Sequence, residues 1–146
     1  MSTLCTLRDS VISYLNGLGL TPNLTAVAAY SDAAGLEQLN GGRLLVIARQ
    51  PHAELLTFEA DEERKPVIDV VVQYHGQTLN AVELDPYFAL SETITDKLLT
   101  AANGAFDGMT CIEADWPLPA NEGAFVQSDL ANFNALTCLT RYKFYG

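Results

Sequence analysis

Three cysteines and two histidines are the side chains in this sequence best suited to act as nucleophiles, bases or metal ligands. Cys5, Cys111 and Cys138 are far apart along the chain, and no two of them have the Cys-x-x-Cys spacing of a zinc site or a redox pair. The only histidines, His52 and His75, lie in a proline-flanked loop and at the end of an apolar run. The spacing therefore predicts buried, unreactive thiols and no metal site.

Loop motifs that hold phosphates or catalytic residues are also missing. The sequence contains neither GxGxxG nor GxxxxGK followed by Ser or Thr, which are the glycine-rich loops that cradle nucleotide phosphates. It contains neither GxSxG nor HExxH. The pair Gly41-Gly42 precedes an apolar run with strand character, so it is interpreted as a turn. We expect no catalytic residue, no cofactor and no enzymatic activity.

Acidic side chains outnumber basic ones by eighteen to eight, which gives a formal net charge of −10. Such a surface repels the phosphates of nucleic acids and argues against tight or sequence-specific DNA binding. Two interpretations of the charge stay open. It supplies solubility, or it forms the wall of a channel through which DNA slides without sticking.

The densest charge lies in one short run, made of Asp61, Glu62, Glu63, Arg64 and Lys65. Consecutive carboxylates of an extended loop point in different directions and lack the alternating oxygen spacing of a calcium loop. The run therefore predicts a solvated tip rather than a cation site. Residues 51–66 as a whole are polar and are the best candidate for a long hairpin arm or mobile loop.

Two segments have the apolar spacing of helices. Residues 3–18 repeat apolar side chains at steps of three and four. A second helix is predicted over 86–102, with Asp85 as N-cap and Pro86 in the first helical position. It has one apolar stripe, formed by Tyr87, Leu90, Ile94, Leu98 and Ala101. The carboxylates of Glu83 and Asp85 flank its start and are explained by the helix dipole.

Five segments have strand character, namely 24–30, 43–50, 67–74, 109–114 and 133–145. The valine-rich segment 67–74 is the strongest and is expected to pair with 43–50. Segment 133–145 is rich in β-branched and aromatic residues and contains no Gly or Pro, which favours a strand that ends a sheet. The polar stretch 127–132 is interpreted as a connection to it. We expect one α+β domain over residues 1–146, with a mainly antiparallel sheet and two helices packed on it.

This order of elements resembles the tail terminator and tail-completion proteins of long-tailed bacteriophages. The resemblance rests on Gly41-Gly42-Arg43 before an apolar strand, on Arg64 before the valine-rich strand, and on the closing FNALTCLTRYKF. The last segment is similar to the family's Phe-x-x-x-Leu-Thr-Tyr-Arg ending. The chain departs from the family in its first central strand, where the family often has a proline and this chain keeps Val46-Ile47-Ala48-Arg49.

The resemblance implies a subunit of a ring of about six copies that caps the tail tube, stops its polymerisation and joins the tail to the head connector. The implied partners are further copies of the chain, the major tail tube protein and the head-side connector or stopper. DNA would pass through the lumen without specific binding. The implied location is the tail or neck of the virion, after synthesis in the host cytoplasm. No membrane partner is expected, because the longest uncharged apolar run, around 70–72, is far too short to span a bilayer.

On this interpretation two charged groups are candidates for a subunit interface or the lumen: the run 61–65, and Arg141 with Lys143 in the terminal strand. Other functions stay open. A head-side stopper or a minor tail subunit would have the same fold, and a small cytosolic enzyme or ligand-binding module is a further alternative. Copy number separates these classes, because a module would be a monomer or dimer with one closed pocket.

Overall fold

Five β-strands form the centre of the fold in the computed structural model, which describes residues 3–33, 35–49, 66–78, 80–116 and 126–146. The strands are β1 (Ala26–Ala29), β2 (Gly42–Arg49), β3 (Val67–His75), β4 (Thr110–Asp115) and β5 (Ala135–Tyr145). The helices are α1 (Thr3–Asn16), α2 (Ala81–Leu99) and α3 (Gln127–Phe133), and a short 3-10 turn covers Leu36–Gln38.

The strands form one sheet in the order β1-β2-β3-β5-β4. All neighbours are antiparallel except β1 and β2, which are parallel. The predicted α+β class and the predicted pairing of β2 with β3 are confirmed. The terminal strand differs from expectation. β5 is not an edge strand. It lies between β3 and β4 and pairs with both.

Two helices cover one face of the sheet with apolar side chains. From α2, Leu90, Ile94 and Leu98 are buried, which confirms the predicted core stripe. Tyr87 of the same stripe stacks on Tyr74 of β3, with ring centroids 4.1 Å apart. From α1, the buried side chains are Leu7, Val11 and Leu15. Apolar burial of this kind is the main stabilising term in a domain of this size.

The start of α2 corrects the sequence prediction. The helix begins at Ala81 rather than at Pro86, and Asn80 rather than Asp85 is its N-cap. The Asn80 side chain accepts a hydrogen bond from the backbone N–H of Glu83 at 3.0 Å. Pro86 therefore lies inside the helix, where its ring removes the hydrogen bond to the carbonyl of Val82. Val82 is highly exposed, so water can satisfy that carbonyl.

The polar stretch 127–132, interpreted from the sequence as a connection to the terminal strand, lies in the helix α3. It is only seven residues long and packs on β5. Asn134 ends it in a left-handed conformation with φ of 52°, and its N–H donates to the carbonyl of Asp129. The sequence prediction was wrong here because a single packed turn or two leaves little apolar periodicity.

The Gly41-Gly42 pair makes the tight entry into β2. Gly41 has φ of +83°, a conformation that side chains disfavour. At Gly42 an added Cβ would come within 3.0 Å of the side chains of Leu24 and Tyr87. The pair therefore turns the chain and lets the start of α2 pack closely on β2.

Candidate functional site

The sheet face opposite α1 and α2 carries its side chains in rows that cross the strands. Leu45, Val71 and Leu139 form an apolar row and are almost fully buried. In the next row, Ile47 lies beside Asp69, and Asp69 lies beside Arg141. The row after that contains Arg49, Val67 and Lys143. Of the eight basic residues in the chain, three lie in these last two rows.

Asp69 is the centre of these charged rows and is fully buried. Its carboxylate accepts a hydrogen bond from Arg49 Nε at 2.8 Å, and from Arg141 Nε at 2.8 Å and Nη2 at 3.1 Å. Hydrogen bonding to the carboxylate raises the pKa of Arg141 above its ordinary value. The two arginine side chains keep 40% and 35% exposure, so the buried carboxylate is neutralised while the cations remain partly solvated. We call these three residues the Asp69 clamp.

Lys143 is much less tightly held. Its ammonium lies 3.8 Å from a carboxylate oxygen of Glu113, and both side chains are largely solvated. An exposed pair at this distance contributes little to stability. The predicted site residues Arg141 and Lys143 therefore share one face of the sheet, but only Lys143 is weakly paired. The other predicted site residues, 61–65, lie outside the described residues, as does the predicted arm 51–66 except for Pro66.

A second polar row, which contains Arg43, Gln73 and Thr137, occupies the opposite end of this face. The buried amide of Gln73 donates to the carbonyl of Asp32 at 2.7 Å and to Thr137 Oγ1 at 3.2 Å. Thr137 in turn donates to Asp129 of α3 at 2.7 Å. Arg43 donates from Nε to Gln73, and burial lowers the pKa of its guanidinium. This network ties α3 and the loop after β1 to the sheet.

A groove of about 500 Å³ separates α2 from the edge strand β4. Helix α2 lines one wall with Phe88, Glu92, Asp96 and Leu99, and Trp116 closes the far side. Hydroxyl groups also reach the groove, from Ser91, Thr95 and Thr140. The groove therefore combines apolar surface, hydroxyls and carboxylates, and no basic side chain is among the described residues that line it.

Exposed apolar side chains concentrate around the same strand. Seven large apolar side chains of the described ranges are exposed, and four of them lie on β4 or directly beside it, namely Leu99, Ile112, Trp116 and Tyr145. Ile112 is the extra residue of a bulge between Cys111 and Glu113, which shifts the register of β4 against β5. Clustered apolar exposure of this kind is a candidate contact surface.

The thiols are poorly suited to nucleophilic chemistry. Cys111 and Cys138 are buried as predicted, and Cys5 is half-buried. Burial raises the pKa of Cys111 to about 11 and that of Cys138 to about 12. Both thiols are therefore protonated at neutral pH and are weak nucleophiles. Among the described residues, no group of three His, Cys, Asp or Glu side chains is placed to hold a metal ion.

Two features of this description were missed in the sequence. The Asp69 clamp has a signal, because a lone aspartate inside the run Val67–Val72 must find a buried partner. The groove has a weaker signal, since Phe88, Glu92 and Leu99 follow one another at helical spacing beside the core stripe of α2.

No protein-family model, curated protein or solved structure matches this chain. In the part of the chain that the structure describes, no helix has both the length and the apolar character needed to span a membrane. The function is therefore inferred from the surfaces of the molecule and from the resemblance of its sequence pattern.

Proposed function

We propose that this chain is a tail terminator subunit of a tailed bacteriophage, which forms a ring on the end of the tail tube and joins it to the head connector. The exposed apolar side chains around β4 are the observation that carries this function. Leu99 and Trp116 line an open groove rather than a closed pocket, and Ile112 is exposed on β4. Such a surface suits contact with another protein, and a structural subunit must offer several contacts of this kind.

Charge supports the same role. A net charge of −10 disfavours DNA binding, and several copies around a lumen would give a wall that repels phosphates. DNA would pass such a wall without being held. The partners in this role are other copies of the chain, the tail tube protein and the head-side connector, and its work is assembly without covalent chemistry or a cofactor.

Two groups of residues are proposed to serve the interface or the lumen. Lys143 is suited to a partner's carboxylate, because its own partner Glu113 is 3.8 Å away and exposed. Arg141 would keep its bond to Asp69 in the assembly and would hold that surface in place, without contacting the partner itself. The charged run, Asp61, Glu62, Glu63, Arg64 and Lys65, is proposed to line the opening or to contact a neighbouring subunit.

Native mass spectrometry of the purified chain, alone and mixed with assembled tails, tests this function. We expect a closed oligomer of about six copies, in solution or on the tail, and electron microscopy should then show a ring on one end of the tube. The genes flanking this one should encode a major tail tube protein and a head connector. A chain that stays monomeric and binds no tail is not a terminator.

Two related structural roles and one different function are the alternatives. A head-side stopper or a minor tail subunit would assemble equally well but would bind the head connector, or another part of the tail, rather than the tube end. The groove also favours a small ligand-binding module, because its volume of about 500 Å³ lies in the range of small-molecule sites. Saturable binding of a small molecule by the monomer would support that module instead.

A further inference from the structure

The two edge strands of the sheet, β1 and β4, differ in whether their free backbone groups are hydrogen-bonded. At the β1 edge, the Asn16 side chain donates from Nδ2 to the Ala26 carbonyl at 3.2 Å and accepts from the Ala26 N–H at 2.7 Å. It thus occupies both peptide groups of Ala26, which therefore cannot pair with an added strand. The strand is four residues long. The β1 edge is therefore capped at its first residue.

Among the described residues, no side chain caps the β4 edge in this way. β4 is six residues long and pairs with β5 on one side, and no strand among the described residues pairs with its other side. Beyond the bulge, its regular part is Glu113–Asp115, which runs along the groove. An extended segment added there would place alternate side chains into the groove.

The wall of the groove indicates what such a segment must carry. Glu92 and Asp96 are exposed carboxylates one turn apart on α2. Their charges are not neutralised within the groove, because none of its described lining residues is basic. Phe88, Leu99 and Trp116 offer apolar surface beside them. Charge complementarity therefore favours an occupant with both basic and apolar side chains.

We infer that the groove between α2 and β4 binds an extended segment of a partner protein, which adds to β4 as a strand. Its apolar side chains pack on Phe88, Leu99 and Trp116, and its basic side chains pair with Glu92 and Asp96. The inference rests on the proposed function, from which we take the occupant to be a protein. It adds which side chains that protein segment carries and how the segment is oriented in the groove. A strand contact supplies affinity through main-chain hydrogen bonds, and the carboxylates supply selectivity.

Binding of two blocked six-residue peptides tests the charge preference. One peptide alternates valine with lysine, and the other alternates valine with glutamate. We expect the lysine peptide to bind at least about tenfold more tightly, and its affinity to fall with added salt. Equal affinities for the two peptides, or no binding of the lysine peptide, would overturn the inference.

A charge-matched pair of variants tests the location. Glu92→Gln with Asp96→Gln removes two carboxylates from the groove, whereas Asp85→Asn with Asp107→Asn removes two exposed carboxylates elsewhere. We expect the first variant to lose about tenfold or more in affinity for the lysine peptide, and the second to lose less than about threefold. Equal losses in both variants would mean that only the net charge of the chain matters.

The pairing geometry has its own readout. Lysine peptide bound as a strand should shift the backbone amide signals of Glu113–Asp115, and N-methylation of every second peptide bond should abolish binding. Shifts confined to the clamp face, which is the sheet face that carries the Asp69 clamp, would contradict the inference. If the peptide binds only after a wild-type oligomer is diluted into monomers, the occupant is a second copy of the chain and not a different partner.

The peptide assays and the native mass separate this inference from the proposed function. A chain that forms a ring of about six copies but binds no lysine peptide, either as the ring or after dilution into monomers, would overturn the inference and leave the terminator function standing. Selective peptide binding by a chain that stays monomeric and ignores tails would support the inference and overturn the terminator function.

Discussion

The two faces of the sheet are stabilised in different ways. The face under α1 and α2 is apolar, and its side chains, such as Val70, Cys138 and Phe144, are buried against the helices. The opposite face alternates apolar rows with rows of hydrogen-bonded polar or charged groups. Apolar burial is non-directional, whereas the bonds of the Asp69 clamp hold only at one distance and angle. The helix face therefore provides most of the stability, and the clamp adds a directional constraint on which residues stand opposite one another.

This difference matters most for β5. A slip of one residue against β3 would move Arg141 to the helix face and bring Tyr142 out of the core. The loss of burial alone opposes such a slip. The clamp adds a second penalty, because Asp69 would stay buried with one of its two arginines removed.

The helix face gives the largest predicted effect. Ile94→Asp places a charge in a fully buried position without a partner, and we expect it to lower the free energy of unfolding by more than about 4 kcal/mol. Thr93→Asp, on the exposed side of the same helix, is the control and should change stability by less than about 0.5 kcal/mol. Urea unfolding followed by circular dichroism measures both. If the Ile94→Asp protein folds with the stability of the wild type, the assignment of α2 to the core is wrong.

The clamp face gives a smaller effect. Asp69→Asn keeps the shape of the side chain but removes the charge shared by Arg49 and Arg141, so we expect a loss of about 2 kcal/mol. The two cations can turn to water, which keeps the loss below that of Ile94→Asp. Glu113→Gln, which affects only the weak pair with Lys143, should cost less than about 0.5 kcal/mol. Equal losses for the two variants would show that burial of the carboxylate is unimportant.

Replacement of the whole clamp tests whether it serves register rather than stability. Arg49→Met, Asp69→Leu and Arg141→Met together should leave the free energy of unfolding within about 1 kcal/mol of the wild type, because no unpaired charge remains. The register of β5 should become less unique, which amide NMR would show as more than one set of signals for residues 135–145. A large loss of stability with a single set of signals would reverse the roles assigned to the two faces.

The smallest effect concerns the start of α2, which is held by hydrogen bonds rather than by burial. Thr78 donates to the Glu83 carboxylate from its hydroxyl and its N–H, Gln77 donates from its N–H, and these bonds lower the pKa of Glu83. A lowered folded pKa gives stability that is complete above the unfolded value of about 4.3 and is lost as pH falls through the folded value. The protection of the amides of residues 77 and 78 against hydrogen exchange, relative to the intrinsic rate at each pH, should therefore fall only in acid. Glu83→Gln should remove this pH dependence; if it persists, another group is responsible.

The sequence predicts most elements of the fold but not how they are arranged. The valine-rich β3 and the Leu90, Ile94 and Leu98 stripe of α2 are visible because burial leaves a period in the sequence. The start of α2 was misplaced because two local rules competed. Proline in the first helical turn is common, but the Asn80 side chain with Glu83 three residues later satisfies the backbone N–H groups better.

The candidate site is harder to predict from the sequence than the fold is. The groove exists because β4 extends the sheet beyond the edge of α2, and strand order is a property of the whole fold. Sequence spacing places Glu92 and Asp96 on α2, but it cannot place the wall opposite them. Arg141 and Lys143 were identified from their position in the terminal strand, whereas Asp69, the residue that holds Arg141, was overlooked among its apolar neighbours.

The position of β5 inside the sheet has a consequence for synthesis. During translation β4 is complete while its only strand partner in the described fold, Ala135–Tyr145, is still being made or is inside the ribosome. Until that strand emerges, β3 also exposes one edge. The chain cannot complete its sheet stepwise from the N-terminus, so folding must wait for the last strand to insert between two others. Ribosome-bound chains that lack the residues from 135 onward are therefore the species most exposed to aggregation and most in need of a chaperone.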